Sequence, residues 1–207
     1  MSAPSYPLTM PTSPNFVRSE WSIERTVART TSPFTYGQTV HEYEGAIWTA
    51  TVTLPPMFRE QAVEWQTFFM QLHGTKGTFL MGDPDAGSPR GTINNTIAVN
   101  GAHSIGAYDI TIDGADTGET IFEKGDYVQF NSGATSQLHM IVEDIASDGS
   151  GNATLKVEPT LKVALSNDAT ISYTNPKGVF RMTSNELGWS ADRISTYGIS
   201  FSCIQAL

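Results

Sequence analysis

The sequence predicts a mainly β protein, in which a sandwich-like scaffold domain carries one packed α-helix and is interrupted by a small inserted barrel. Three observations predict this fold. Apolar and polar residues alternate along several stretches, one stretch has helical spacing, and Gly-rich turns separate five or six short strands in the middle of the chain. The 207 residues, 39% of them hydrophobic and 10% aromatic, suffice to build such cores.

Charge and cysteine content exclude several classes of protein. Only 16% of the residues are charged and the net charge is −9, which argues against a surface that tracks phosphates, because nucleic-acid affinity comes mostly from Lys and Arg. The single cysteine excludes an intrachain disulfide and a cysteine-based zinc site. The N-terminus lacks a signal-peptide pattern, and no stretch approaches the roughly 20 apolar residues of a membrane span. We therefore expect folding in a reducing cytoplasm and no membrane binding.

The first quarter of the chain predicts an arm followed by strands. Residues 1–14 contain four prolines and indicate an extended arm that buries little of its surface. We hypothesise that this arm lies on a neighbouring subunit. Alternation over 17–27 predicts a strand, which ends near Arg25 where the apolar face is interrupted. A loop around Pro33 then leads to a short strand over 39–43.

The next stretch is predicted to form the centre of the scaffold, with a strand, a helix and a second strand. Alternation over 46–54 predicts a strand buried on one face, and two prolines stop it. Apolar residues then recur at spacings of three and four, which predicts an amphipathic helix over 57–73 that ends at Gly74. Its buried stripe is predicted to comprise Phe58, Ala62, Trp65, Phe69 and Leu72. A compact strand over 78–81 and a Gly-Asp-Pro turn complete the stretch.

The middle of the chain has a different character and predicts an inserted domain. The same Pro-basic-Gly pattern stands before it, at 89–91, and after it, at 176–178. Residues 92–178 contain 11 acidic and 4 basic side chains, a net charge of −7, and predict a small barrel that includes one long strand over 138–145. The scaffold is therefore predicted to comprise 1–91 and 179–207, and insertion at a surface turn is well tolerated.

Motifs that carry catalytic chemistry are absent from the sequence. It contains no G-x-S-x-G elbow, P-loop, G-x-G-x-x-G or H-E-x-x-H pattern. A metal site or triad would need histidines from four different elements to converge. These histidines are His41, His73, His103 and His139. Cys203 shares one strand face with three apolar residues, which indicates a buried, inert thiol.

Several acidic groups have competing interpretations. The loops at 82–87 and 148–152 offer oxygen ligands, but Gly, Pro, Asp and Asn at this density indicate turns rather than metal sites. An acidic run in the inserted block could hold a divalent cation, although solvated loop carboxylates are the ordinary case. The run comprises Asp109, Asp113, Asp116, Glu119 and Glu123. The sequence thus predicts no catalytic, cofactor-binding or metal-binding residue.

The order of these stretches resembles one protein family. They are the proline-rich arm, the alternating strand, the Leu54-Pro55-Pro56 entry to a Trp65-x-x-Phe68-Phe69 helix, the Gly-x-Phe-Leu-Met-Gly-Asp-Pro exit, the acidic insertion and the ending Tyr197-Gly198-Ile199-Ser200-Phe201-Ser202. Together they resemble a distal tail protein of long-tailed, siphovirus-type bacteriophages in its compact two-domain form. The resemblance covers nearly the whole chain as an order of elements rather than as a fixed motif.

The resemblance implies a structural virion protein and not an enzyme. Such proteins form hexameric rings at the tail tip, where sandwich domains close the ring and a barrel of oligonucleotide/oligosaccharide-binding (OB) fold projects outward. The ring joins the tail tube to the hub and fibre proteins of the baseplate, and DNA only transits its lumen. The family implies no cofactor and no catalytic residues. Localisation in the virion, after assembly in the cytoplasm of the bacterial host, follows from the same resemblance.

Two other classes of protein compete with this expectation. A carbohydrate-binding module that recognises the receptor at a tail tip would display an aromatic platform, for which Tyr108, Tyr127 and Tyr173 are available, although their alternation favours the core. An enzyme that cleaves polysaccharide would need a pair of carboxylates in a cleft, and no motif singles out such a pair.

Overall fold

The structure is a computed structural model that describes residues 4–191 and 196–207, with the backbone alone at Glu44. Residues 1–3 of the predicted arm and 192–195 of the predicted scaffold lie outside the described residues. The first elements are β1 (Leu8–Thr9), β2 (Arg18–Thr31), β3 (Gln38–Thr53), α1 (Arg59–Leu72) and β4 (Phe79–Met81). The middle of the chain contains β5 (Ala98–Val99), β6 (Asp109–Asp113), β7 (Thr120–Phe122), β8 (Tyr127–Phe130), β9 (Gln137–Ile141), β10 (Ile145–Ala146), β11 (Ala153–Glu158) and β12 (Ile171–Ser172). The last strands are β13 (Gly178–Met182), β14 (Trp189–Ala191) and β15 (Tyr197–Gln205).

Seven strands from the two ends of the chain form one sheet, called here the scaffold sheet. Its order is β1-β4-β13-β15-β3-β2, with β14 beside β15. The chain leaves this sheet after Met81 and returns at Gly178, and these two residues are paired in the antiparallel β4–β13 ladder. The crossing is tight, since a Cβ atom on Gly82 would lie 2.0 Å from the carbonyl oxygen of Pro176. The inserted segment thus starts and ends at one place on the scaffold.

The helix packs against one face of the scaffold sheet, as its aromatic stripe requires. The predicted span of 57–73 is confirmed to within two residues at each end. The rings of Trp65 and Phe69 lie 6.2 and 5.1 Å from the ring of Phe201 in β15. Phe58 is exposed, so its predicted place in the buried stripe is wrong. It precedes the helix with extended backbone, where helical spacing does not apply.

The N-terminal arm docks on the scaffold core of its own chain, although none of its described residues is fully buried. Strand β1 pairs in parallel with β4, and the Tyr6 hydroxyl donates to the carbonyl oxygen of Gln71 at 2.8 Å. Tyr6, Leu8 and Met10 pack against the scaffold core. Prolines limit the hydrogen bonds of an extended segment, but alternate side chains of that segment still reach one face.

The inserted segment forms a nearly closed barrel with its own core. Six strands pair in the order β12-β8-β9-β11-β6-β5, and a bridge between Ala98 and Thr170 joins the two edges. The mainly β fold class, with one packed helix and a small barrel, is confirmed. The predicted long strand over 138–145 is wrong, because β9 ends at Ile141 and the chain resumes as β10, which pairs with β7 instead.

The barrel and the scaffold share a buried seam. The indole Nε1 of Trp48 in β3 donates to the carbonyl oxygen of Leu138 in β9 at 3.0 Å, and the ring of Tyr127 lies 6.0 Å away. Leu138 and Tyr127 belong to the scaffold core cluster rather than to the barrel core. Burial raises the pKa of Tyr127 to about 12. The scaffold sheet is therefore covered by the helix at one end and by two barrel strands at the other.

Polar contacts reinforce the seam on both sides. The amide of Val179 donates to the carbonyl oxygen of Ser136 at 3.1 Å, and the amide of Lys177 donates to the side-chain oxygen of Gln129 at 2.8 Å. Arg25 in β2 pairs with Glu158 in β11 at 2.9 Å. Such contacts orient the barrel on the scaffold. That the barrel folds as an independent domain remains a prediction.

Removing residues 1–10 is expected to destabilise the scaffold. The deletion removes β1 and three packed side chains, each contributing on the order of 1 kcal/mol of the free energy of unfolding. We expect a loss of about 2–4 kcal/mol in urea denaturation. Tyr6→Phe is the matched control, since it removes only the hydrogen bond to Gln71 and should cost about 1 kcal/mol or less. Equal stability of the shortened and full-length proteins would contradict the docked arm.

Candidate interaction surface

The four histidines do not converge on a site. His41 is exposed in β3, and His73 ends the helix with left-handed backbone at a φ of 52°. His103 contacts the Thr111 hydroxyl at 3.0 Å on the barrel surface, whereas His139 is fully buried in β9. Within 4–191 and 196–207, the structure contains no group of three or more His, Cys, Asp or Glu residues that could hold a metal ion.

His139 has the most perturbed environment of the four. Its Nδ1 lies 2.6 Å from the carbonyl oxygen of Pro159, and its ring lies 5.3 Å from that of Phe130. Burial lowers the pKa of His139 to about 4, because the charged imidazolium would lose its hydration. When Nδ1 donates to this carbonyl, the buried site accommodates the neutral imidazole. His139 is therefore a core side chain.

Cys203 is a buried thiol, as the sequence predicts. Its Sγ lies 3.6 Å from the carbonyl oxygen of Ala50 and 3.9 Å from Sδ of Met81. Burial raises the pKa of the Cys203 thiol to about 12, so the nucleophilic thiolate is not populated near neutral pH.

The acidic residues of the barrel serve turns and ion pairs. Asp116 accepts from the amide of Asn94 at 3.0 Å, and Asp109 pairs with Lys156 at 3.4 Å. Asp148 accepts from the amides of Ser150 and Asn152 at 2.8 and 2.9 Å, which confirms the predicted turn and lowers the pKa of its carboxyl. Asp109, Asp116 and Asp148 are thus each held by contacts within the barrel.

Asp126 has a structural role that spacing alone did not reveal. This buried carboxylate accepts from the amides of Arg90 and Glu123 at 3.0 and 2.8 Å and from Nε of Arg90 at 3.3 Å. It therefore fixes the chain where the barrel begins. Its local signal in the sequence is the preceding Gly125, a residue typical of turns.

The three tyrosines considered for a sugar platform have separate environments. Tyr127 is buried at the seam, and Tyr173 donates from its hydroxyl to the carbonyl oxygen of Asn95 at 2.9 Å. Tyr108 lies under the ammonium of Lys156, 5.8 Å from the ring centroid. Each ring thus contacts a different neighbour.

The most exposed apolar surface lies on a hairpin that extends beyond the scaffold sheet. We call residues 27–43 the ribbon. The predicted end of β2 near Arg25 is wrong, since a shift in register between Arg25 and Val27 lets the ladder with β3 continue to Thr31. Nearly all ribbon residues are exposed on both faces. Its exposed large apolar side chains are Val27, Phe34, Tyr36, Val40 and Tyr43.

The tip of the ribbon is a turn closed by its own hydrogen bonds. The amides of Ser32 and Tyr36 donate to the carbonyl oxygens of Gly37 and Ser32, each at 2.9 Å. Tyr36 has a φ of 56°, a conformation that is an outlier for a bulky residue. The side chains of Phe34 and Tyr36 are 93% and 79% exposed. The closed turn thus presents two aromatic rings to solvent.

A cleft at the C-terminal end of the helix is the second notable surface, which we call the helix-end groove. It has a volume of about 290 Å³. Its apolar lining residues are Phe69, Met70, Met182 and Leu187, and its polar ones are His73, Ser184 and Asn185. Asn185 holds one wall in place, since its Oδ1 accepts from the amide of Thr75 at 3.0 Å. Met70 is 61% exposed at the mouth.

Comparison of the chain with protein-family models and with curated proteins gives no match. Among the described helices, none has the length and apolar composition needed to cross a bilayer.

The buried His139 predicts an acid-sensitive stability. Its folded pKa is about 4 and its ordinary value is 6.5, so the unfolded chain binds more protons between these values. The free energy of unfolding should therefore fall as the pH drops from about 6.5 to about 4, by on the order of 3 kcal/mol from this group. His139→Gln should flatten this dependence in urea denaturation, whereas His41→Gln at an exposed site should not. Parallel curves for the wild type and His139→Gln would contradict the assignment.

Proposed function

We propose that this protein is a structural virion component, a distal tail protein that forms a hexameric ring at the tip of a long-tailed bacteriophage tail. The ring joins the tail tube to the hub and fibre proteins and leaves a lumen for DNA. The observation that carries the proposal is the exposed apolar ribbon on a protein whose two cores are otherwise closed. A monomer seldom keeps such a surface unless an assembly covers it.

The architecture also supports a building block of fixed shape. A ring closes only when each subunit presents the same angle to its neighbour, which requires a subunit of fixed shape. The buried Trp48 bond and the Arg25–Glu158 pair fix the barrel on the scaffold. The resemblance in the order of elements supplies the class of assembly.

The charge of the chain fits passage of DNA without binding. The net charge is −9, and residues 92–178 contribute −7 of it. A subunit of net negative charge repels phosphates, so the ring as a whole has little affinity for the duplex that passes through it. We assign no catalytic step, cofactor or membrane contact to the protein.

Assembly can be tested by negative-stain microscopy combined with mass measurement over a wide range of protein concentration. We expect six-membered rings at high concentration, with a mass six times the 22.5 kDa of the chain. Addition of the tail-tube protein from the same phage should promote the rings, since binding to the assembled state shifts the equilibrium toward it. A strict monomer at every concentration, with no affinity for tail proteins, would contradict the proposal.

A further inference from the structure

We propose that the ribbon tip of one subunit inserts into the helix-end groove of a second copy of this chain. The inference rests on the proposed function and names the contact by which the subunits associate. A ring needs a head-to-tail interface, in which two different surfaces of the same chain meet. The ribbon and the groove are two such surfaces.

The ribbon requires a partner for physical reasons. An isolated two-stranded hairpin is only marginally stable in water, because neither of its faces is covered. Five register pairs, from Val27 opposite Glu42 to Thr31 opposite Gln38, extend it by roughly 17 Å, at about 3.4 Å per residue, before the turn. Its aromatic tip therefore lies well away from the core of its own scaffold and within reach of another molecule.

Charge favours a second copy as the occupant. Two chains that each carry a net charge of −9 repel each other, so a contact between them is favoured where both surfaces are neutral. In the ribbon, the charges of Arg29 and Glu42 cancel. The lining of the groove contains no Asp, Glu, Lys or Arg side chain. A basic partner would instead be attracted to the acidic barrel.

The shapes and sizes also correspond. The groove, at about 290 Å³, has room for an aromatic side chain above an apolar floor, with a polar rim suited to the hydroxyl of Tyr36. Met70 and Met182 have flexible thioether chains that adapt to a ring.

Two variants that disable opposite sides of the contact give a direct test. Phe34→Ala removes the tip and Met70→Glu blocks the groove, and both residues are exposed, so we expect each variant to fold. Each alone should associate at least tenfold more weakly than the wild type by analytical ultracentrifugation. Mixed in equal amounts, they should form a dimer and no larger species, because one intact tip meets one intact groove. Ile105→Ala, an exposed apolar site on the barrel, is the matched control and should leave wild-type assembly unchanged.

The outcomes separate this contact from the proposed function. Rings formed equally well by the wild type and by both variants would overturn the tip-in-groove contact and leave the ring intact. A mixture that stays monomeric while the wild type forms rings would also overturn the contact. A wild type that stays monomeric at every concentration would overturn both. Circular dichroism and thermal unfolding of each variant verify the fold, and Tyr36→Ser serves as a second tip variant with the same expected loss.

Discussion

The indole of Trp48 lies where the two cores of this protein meet, and the arrangement of everything else depends on that contact. Its Nε1 donates to the carbonyl oxygen of Leu138 in the barrel, while Trp21 packs edge-on against its ring at 6.3 Å. A buried hydrogen bond from an indole N–H to a carbonyl oxygen is costly to leave unmade. The barrel therefore cannot separate from the scaffold without exposing polar and apolar groups together. Two barrel residues, Tyr127 and Leu138, are therefore part of the scaffold core.

This constraint explains which surfaces remain available for assembly. The scaffold sheet is covered on one face by the helix and by barrel strands, and the arm pairs at one edge. The ribbon extends beyond this covered region with both faces exposed. An otherwise rigid body with one projecting apolar element has few ways to associate, and these favour a repeated contact of a single geometry. The proposed association through the ribbon thus follows from how the cores close.

Much of the fold could be predicted from local pattern. Helical spacing identified α1, and a change in composition identified the inserted segment, because both signals are contained within one stretch of sequence. The docked arm was not predictable, since the packing of Tyr6 and Leu8 depends on residues that are distant in sequence. The length of the ribbon was missed because a shift in register after Arg25 removes the strict alternation. The groove depends on Asn185 reaching Thr75, a contact without a local signal.

Hydrogen exchange at low and high protein concentration tests the central claim most directly, which is that a rigid body associates through its ribbon. In the monomer, amides of the ribbon should exchange quickly, and in the assembly they should slow by at least tenfold, because covering the ribbon suppresses its local opening. Amides at the seam, such as that of Val179 on Ser136, should be protected equally in both states. Ribbon amides that exchange at the same rate in monomer and assembly would contradict the account.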